Sequence, residues 1–159
     1  MPPTHSAWTP SSLLLAATGF SLIVAGLYFL LMRPGLLPED IRYMNLSAGE
    51  LAAVRPRLEV WLGQVFRVMG GYVLATGVLA VTLAVTSFRA HDGVAAIGAL
   101  IGGGASIGLM AAVNFAIGSD FKWVLLAMML LWAASFVAYW FETGSPHGDA
   151  AGQKSHVRG

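Results

Sequence analysis

Apolar residues are gathered into four long runs along the chain, and most polar residues lie between the runs. The runs cover residues 12–32, 68–88, 94–117 and 123–141, which makes each of them 19 to 24 residues long. A helix rises about 1.5 Å per residue, so about 20 residues cross a hydrocarbon core of roughly 30 Å. The pattern predicts an all-α integral membrane protein, a four-helix bundle formed by one domain over residues 1–141.

The third run, residues 94–117, holds five glycines and no charged residue. Glycine destabilises a helix in water by about 1 kcal/mol relative to alanine. In a membrane, small residues instead allow neighbouring helices to approach closely. Gly98, Gly102 and Ser106 are four residues apart and therefore share one face. We expect this helix to be enclosed by the other three and to organise the bundle.

Small residues at regular spacing also mark faces of the first run and of the predicted helix that leads from Pro56 through the second run. Gly19 and Gly26 are seven residues apart, and Gly63, Gly70 and Gly77 repeat the same interval. A period of seven is typical of a left-handed helix seam. The sequence therefore predicts helix packing at eight small residues, Gly19, Gly26, Gly63, Gly70, Gly77, Gly98, Gly102 and Ser106.

Residues 33–64 form a polar insertion that is too charged to cross a bilayer and too apolar to be a free linker. Proline followed by two acids at 38–40 is typical of a helix start and predicts a short helix to residue 44. Ser47 and Glu50 fit the capping-box pattern at the start of another helix. Pro56 indicates either a kink or the first turn of a new helix that continues to about residue 88. We expect a short interfacial helical insertion.

Short connections join the last three runs, and a polar tail follows them. Residues 89–93 and 118–122 are too few to form more than turns, so the helices they join are antiparallel neighbours. The tail, residues 142–159, is small and polar with little apolar surface to bury. We expect the tail to be disordered.

The positive charges are unevenly divided between the two ends of the predicted bundle. Six lie with the insertion and the third connection, and three lie at the opposite end. The first group is Arg33, Arg42, Arg55, Arg57, Arg67 and Lys122, and the second is Arg89, Lys154 and Arg158. Because basic residues favour the cytoplasmic side, we expect a bacterial inner (plasma) membrane protein with a cytoplasmic insertion and both termini outside. No Lys or Arg precedes the first run, so we expect a retained span and not a cleaved signal.

Antiparallel threading places several polar residues at the end of the bundle that carries the insertion. They form a candidate vestibule or helix bridge of Glu59, Gln64, Arg67, Asn114 and Asp120. Arg67 is the most informative, because an arginine in the apolar zone costs roughly 2.5 to 3.5 kcal/mol on insertion scales. It could contact an anion or a lipid headgroup, or form one side of a gate. Structural alternatives are an arginine that snorkels to the interface or a salt bridge to Asp120 or Glu59.

Several kinds of chemistry are not expected from this composition. The chain has no cysteine, which excludes thiolate chemistry, and its four histidines all lie outside the apolar runs. We therefore expect no cofactor, no metal and no haem within the bundle. A net charge of +1 offers no basic face of the kind that binds nucleic acid.

Three hypotheses of function follow from the sequence. The first is a non-catalytic accessory or interaction subunit in the lipid bilayer, which acts alone, as a homo-oligomer or with a membrane-protein partner, because small-residue faces suit helix contact. The alternative is a small transporter or a binder of lipid or another apolar ligand, with its vestibule near Arg67, Asn114 and Asp120. The third is an enzyme that acts on lipid headgroups through Glu39 and Asp40.

Overall fold

The structure is a computed structural model that describes residues 8–45 and 47–144, and these residues are all-α. The helices are α1 (Pro10–Leu31), α2 (Pro38–Met44), α3 (Ala48–Val85), α4 (Gly93–Gly103), α5 (Leu109–Ala116) and α6 (Lys122–Gly144), and a π-helical segment (Gly104–Gly108) joins α4 to α5. We call the continuous helix over residues 93–116 the third span. Within the described residues, α1, α3, the third span and α6 are long and apolar enough to cross a membrane.

The helix α3 is a single rod of 38 residues, although the sequence left a break at Pro56 open. It begins at the predicted capping box, in which Glu50 N donates to Ser47 Oγ and Ser47 N donates to Glu50 Oε2, over 3.3 and 2.9 Å. Pro56 lies inside the helix, so its interpretation as the first turn of a new helix is wrong. At about 1.5 Å per residue the rod is roughly 57 Å long. It is much longer than the roughly 30 Å of a hydrocarbon core, and residues 68–85 of the predicted run 68–88 form its second half.

The helix at the centre of the bundle is α1, and not the third span as the glycine content predicted. α1 packs along α3 and also against α6, and its Leu15 and Leu22 are 1 % and 2 % exposed. The third span contacts chiefly α6. At this interface the large side chain of Trp132 of α6 packs against Gly103 of the third span. Its Nε1 donates a hydrogen bond to the carbonyl oxygen of Ala99 over 3.3 Å. The indole lies beside the predicted small-residue face and does not cover Gly98 or Gly102.

Glycines set the distance between α1 and α3. A methyl group at Gly77 would lie 2.6 Å from the carbonyl oxygen of Gly19, and one at Gly70 would lie 2.9 Å from the backbone nitrogen of Leu30. Gly26 is equally close to Leu74. These backbones approach as closely as small residues in helix interfaces allow.

Three of the other predicted packing glycines have no such neighbour. Gly63, Gly98 and Gly102 would each accept a methyl group with no surrounding atom within 4 Å. Gly63 is free because α1 ends at Leu31, before it reaches this part of α3. Gly98 and Gly102 have no such neighbour because they face a cavity between the third span and α3.

Polar contacts link different elements at each end of the bundle. At the end that carries α2, Arg42 pairs with Asp120 at 3.2 Å. At the opposite end, Glu142 of α6 accepts a hydrogen bond from the backbone nitrogen of Ser11 at 2.8 Å and lies 3.1 Å from His91 Nε2. The predicted tail therefore starts too early at residue 142, because α6 continues through Gly144 and Glu142 is part of this contact. Residues 145–159 of that tail lie outside the described residues.

Candidate functional site

A large cleft lies among α1, α3, the third span and α6 in the half of the bundle nearest α2. Its volume is about 980 Å³, and its walls are almost entirely apolar. We call it the large cleft; its floor includes Leu22, Met110 and Met128. Val24 of α1 and Leu109 of α5 also line it and are 52 % and 60 % exposed. Because both lie within apolar helices, part of the wall of the large cleft is exposed on the side of the bundle.

Arg33 and Asp40 form an ion pair at the α2 end of the large cleft. The arginine side chain is 8 % exposed, the aspartate side chain is 21 % exposed, and their closest atoms are 3.2 Å apart. Asp40 Oδ2 also accepts from the backbone nitrogen of Leu37 at 2.9 Å, so it closes the first turn of α2. The guanidinium carbon of Arg33 lies 3.3 Å from the centre of the Phe66 ring. Stacking on an aromatic face and pairing with a carboxylate together hold a buried arginine.

Glu39 is the second acid at this end, and it is more deeply buried than Asp40. It is 6 % exposed and receives one hydrogen bond, from the hydroxyl of Ser119, over 3.5 Å. Ser119 is itself 3 % exposed, and its oxygen accepts from the backbone nitrogen of Phe121 at 3.1 Å. Among the described residues, no group donates to the other carboxylate oxygen of Glu39, Oε2. This oxygen is therefore left as an acceptor at the α2 end of the large cleft.

Aromatic rings and one amide complete the α2 end of the large cleft. The rings of Tyr28 and Phe121 are 6.2 Å apart, and those of Phe29 and Phe66 are also 6.2 Å apart. Asn114 donates from Nδ2 to the carbonyl oxygen of Met110 at 2.8 Å, in its own helix. The amide oxygen of Asn114 is left as an acceptor on the cleft wall.

Only Asn114 of the five predicted vestibule residues lines the large cleft. Glu59 pairs at 2.8 Å with Arg55 on its own helix, and Asp120 pairs with Arg42 at the surface. Gln64 and Arg67 are both exposed, and within the described residues Arg67 takes part in no ion pair. The predicted bridge from Arg67 to Asp120 or Glu59 is therefore not formed.

The reason for this difference is the position of α3. Its first half extends past the end of α1, and the third span stands on the far side of the large cleft. The face that carries Arg67 therefore meets no other helix, although Arg67 is only three residues from the packed Gly70.

Glu39 and Asp40 were predicted from the sequence as acids of a helix start and as the acids of a possible enzyme that acts on lipid headgroups. The ion pair that Arg33 forms with Asp40 at the polar end was not predicted. Arg33 follows the end of α1 at Leu31, so its contact with Phe29 leaves no helix-periodic signal in the sequence. The guanidinium carbon of Arg33 lies 5.5 Å from the centre of the Phe29 ring.

A smaller cavity of about 260 Å³ adjoins the large cleft. Leu22 and Ser106 contribute to the walls of both. Gly98 and Gly102 line the smaller cavity from the third span, opposite Leu79 of α3. The small-residue face of the third span thus faces open space inside the bundle.

The fold and the large cleft define a class, an all-α bundle with four helices of membrane-spanning length and an apolar cleft among them. In the described part of the chain no three His, Cys, Asp or Glu side chains are grouped as a metal site would need. Comparisons with protein-family models, with curated proteins and with solved structures found no match.

Proposed function

We propose that this protein is an integral membrane protein that crosses the bilayer four times and binds a membrane amphiphile in the large cleft. Its hydrocarbon chain would lie along Leu22, Met110 and Met128, and its headgroup would lie at the α2 end. This develops the ligand-binding hypothesis from the sequence, with the binding site moved from Arg67 to the surroundings of Arg33.

The shape and the lining of the large cleft are the observation that carries this proposal. Ligand pockets commonly measure about 300 to 1,000 Å³, with apolar walls and a few polar groups that fix the ligand's orientation. The large cleft, at about 980 Å³, has its charged groups at one end, and the exposed residues Val24 and Leu109 line it on the side of the bundle. An amphiphile has the same division into an apolar chain and a polar head. A lateral opening would admit it directly from the bilayer.

We propose a bacterial inner (plasma) membrane as the location, with α2 and the start of α3 in the cytoplasm and both termini outside. The support is the excess of Lys and Arg at the α2 end. In this orientation the polar end of the large cleft would lie at the cytoplasmic leaflet.

Photolabelling of the full chain in reconstituted vesicles tests the proposal. The probe is a long-chain alcohol with a diazirine in its chain, and mass spectrometry locates the labelled residues. We expect labels concentrated on cleft residues such as Met110 and Met128. Labels spread evenly over the outward faces of all four long helices would contradict a ligand site.

A matched pair of substitutions sharpens this experiment. Val113 lines the large cleft and is 47 % exposed, whereas Val137 of α6 is 57 % exposed and lines neither cavity. Val113→Trp should partly fill the large cleft and lower the labelling several-fold. Val137→Trp adds the same bulk on a lipid-facing surface and should leave the labelling unchanged.

A non-catalytic accessory or interaction subunit is the second candidate. It is favoured by the low burial of the long helices, since the most apolar windows of α3 and α6 are 17 % buried within the chain and that of the third span is 22 % buried. Much of their surface is therefore open to a partner helix or a second copy. Co-purification in mild detergent tests this function, and a monomer with no associated protein would count against it.

A further inference from the structure

We infer that the amphiphile held in the large cleft has a cationic amine headgroup, which the carboxylate of Glu39 and the surrounding aromatic rings bind. This inference rests on the proposed function and adds the chemical class of the ligand.

The charge balance at the α2 end is the first argument. The large cleft is lined by three charged residues among those the structure describes, Arg33, Glu39 and Asp40. Asp40 neutralises Arg33 at 3.2 Å, so the carboxylate of Glu39 is left as the uncompensated charge. Opposite charge favours a cation in such a site.

The hydrogen-bonding capacity of the site is the second argument. Glu39 is 94 % buried, since its exposed fraction is 6 %, and its Oε2 receives no hydrogen bond from the described residues. The amide oxygen of Asn114 is a further free acceptor on the same wall. Acceptors without a partner favour a ligand that donates hydrogen bonds, and an ammonium group carries N–H donors and no acceptor.

The aromatic lining is the third argument. Tyr28 and Phe121 line the large cleft with their rings 6.2 Å apart, and Phe121 is bonded through its backbone to Ser119, the partner of Glu39. Aromatic faces attract cations within about 6 Å of the ring centre. An anionic headgroup would meet these rings and two carboxylates, and the one arginine present is already paired and stacked.

Three probes with the same hydrocarbon chain test the headgroup, namely tetradecylamine, tetradecanol and tetradecanoate. Their affinities for the purified full chain in a neutral detergent are measured by native mass spectrometry. Charge-assisted hydrogen bonds are worth more than neutral ones, so we expect the amine to bind at least about tenfold more tightly than the alcohol. The wild-type comparison alone can overturn the inference, through equal binding of amine and alcohol or through tightest binding of tetradecanoate.

Substitutions then assign the preference to one carboxylate. Glu39→Gln should reduce the ratio of amine to alcohol affinity to about one, while the alcohol affinity itself is retained. Using the ratio cancels the different partition of the probes into micelles. Glu59→Gln is the matched control, because Glu59 pairs with Arg55 outside the large cleft and should keep the wild-type ratio.

The outcomes separate this inference from the proposed function. Failure of all three probes to bind would overturn the proposed function itself. Binding of all three with no preference, or an amine preference that survives Glu39→Gln, would leave the amphiphile site in place and overturn the amine assignment. Loss of the preference in Glu39→Gln alone supports both.

Discussion

Gly19 and Gly77 are in backbone contact where α1 crosses α3. A methyl group at Gly77 would lie 2.6 Å from the carbonyl oxygen of Gly19, and one at Gly19 would lie 2.8 Å from that of Gly77. Because neither glycine has a side chain, the backbone of each one can occupy the volume that a Cβ atom on the other would fill. With Gly26 and Gly70 one heptad away, this contact joins the two helices that form the centre of the bundle.

Gly77→Ala should therefore destabilise the protein. An added methyl group at a backbone contact has to push α1 away from α3, and overpacking of this kind typically costs about 1–3 kcal/mol. The free energy of unfolding is measured in mixed detergent micelles, followed by tryptophan fluorescence. Gly71→Ala is the control, because no atom lies within 4 Å of that position. Equal stability of the two variants would contradict the contact.

The contact between the third span and α6 allows a second test of close packing, with alanine substitutions at Gly102, Gly103 and Gly104. A methyl group at Gly103 would overlap the indole of Trp132, whose Cε2 would be 2.6 Å away. At Gly104 the nearest atom of the same ring would be 3.9 Å away, and at Gly102 nothing lies within 4 Å. Gly103→Ala should lower the unfolding midpoint, and the substitutions at its two neighbours should not. An equal decrease for all three would indicate a general effect on the helix and not the indole contact.

The number and approximate limits of the long helices could be predicted from the sequence, because long apolar runs have few alternative structures in a bilayer. The seven-residue spacing of Gly19 with Gly26 and of Gly70 with Gly77 likewise indicated faces that the structure brings together. The spacing of glycines within one helix could not show which helix or side chain packs against each face. The glycines of the third span were equally compatible with a helix backbone and with a large side chain, and Trp132 was invisible to a pattern within one helix.

The polar end of the large cleft could not be predicted for a related reason. Arg33 and Glu39 lie beside helix ends, and their positions depend on how residues 32–37 fold back onto α3. The backbone of Gly35 in this connection packs against the backbone of Glu59, and such a contact between distant residues leaves no periodic signal. Predicted candidates such as Arg67 were chosen by depth in the membrane, which does not specify a neighbouring helix.

Asp40→Ala should reveal how strongly the buried ion pair at the α2 end contributes to the fold. Removing one partner leaves Arg33 buried without its counter-charge, which typically destabilises a protein by about 3 kcal/mol or more. Asp120→Ala breaks a pair at the same end whose side chains are 61 % and 68 % exposed, so its expected cost is about 0–1 kcal/mol. Chemical unfolding of both variants gives the comparison.

A second substitution tests the cause of this loss. Replacing Arg33 by Met in the Asp40→Ala background removes the unpaired charge and should restore part of the lost stability. If Asp40→Ala and Asp120→Ala have equal effects, or if Arg33→Met makes the first variant worse, the buried charge is not the origin of the effect.

Glu142 joins the start of α1 to the end of α6, and its removal should loosen the end of the bundle opposite α2. Its carboxylate accepts from both the backbone nitrogen and the hydroxyl of Ser11, which is fully buried. Glutamine has only one acceptor oxygen, so Glu142→Gln should lower the free energy of unfolding by about 1.5–3 kcal/mol. The neighbouring Thr143→Ala removes a hydroxyl bonded only within its own helix and should change the free energy of unfolding by less than about 0.5 kcal/mol.

Ser11→Ala combined with Glu142→Gln should lower the free energy of unfolding by less than the sum of the single substitutions, because both remove the same contact. Strict additivity would show that Ser11 and Glu142 stabilise the bundle independently.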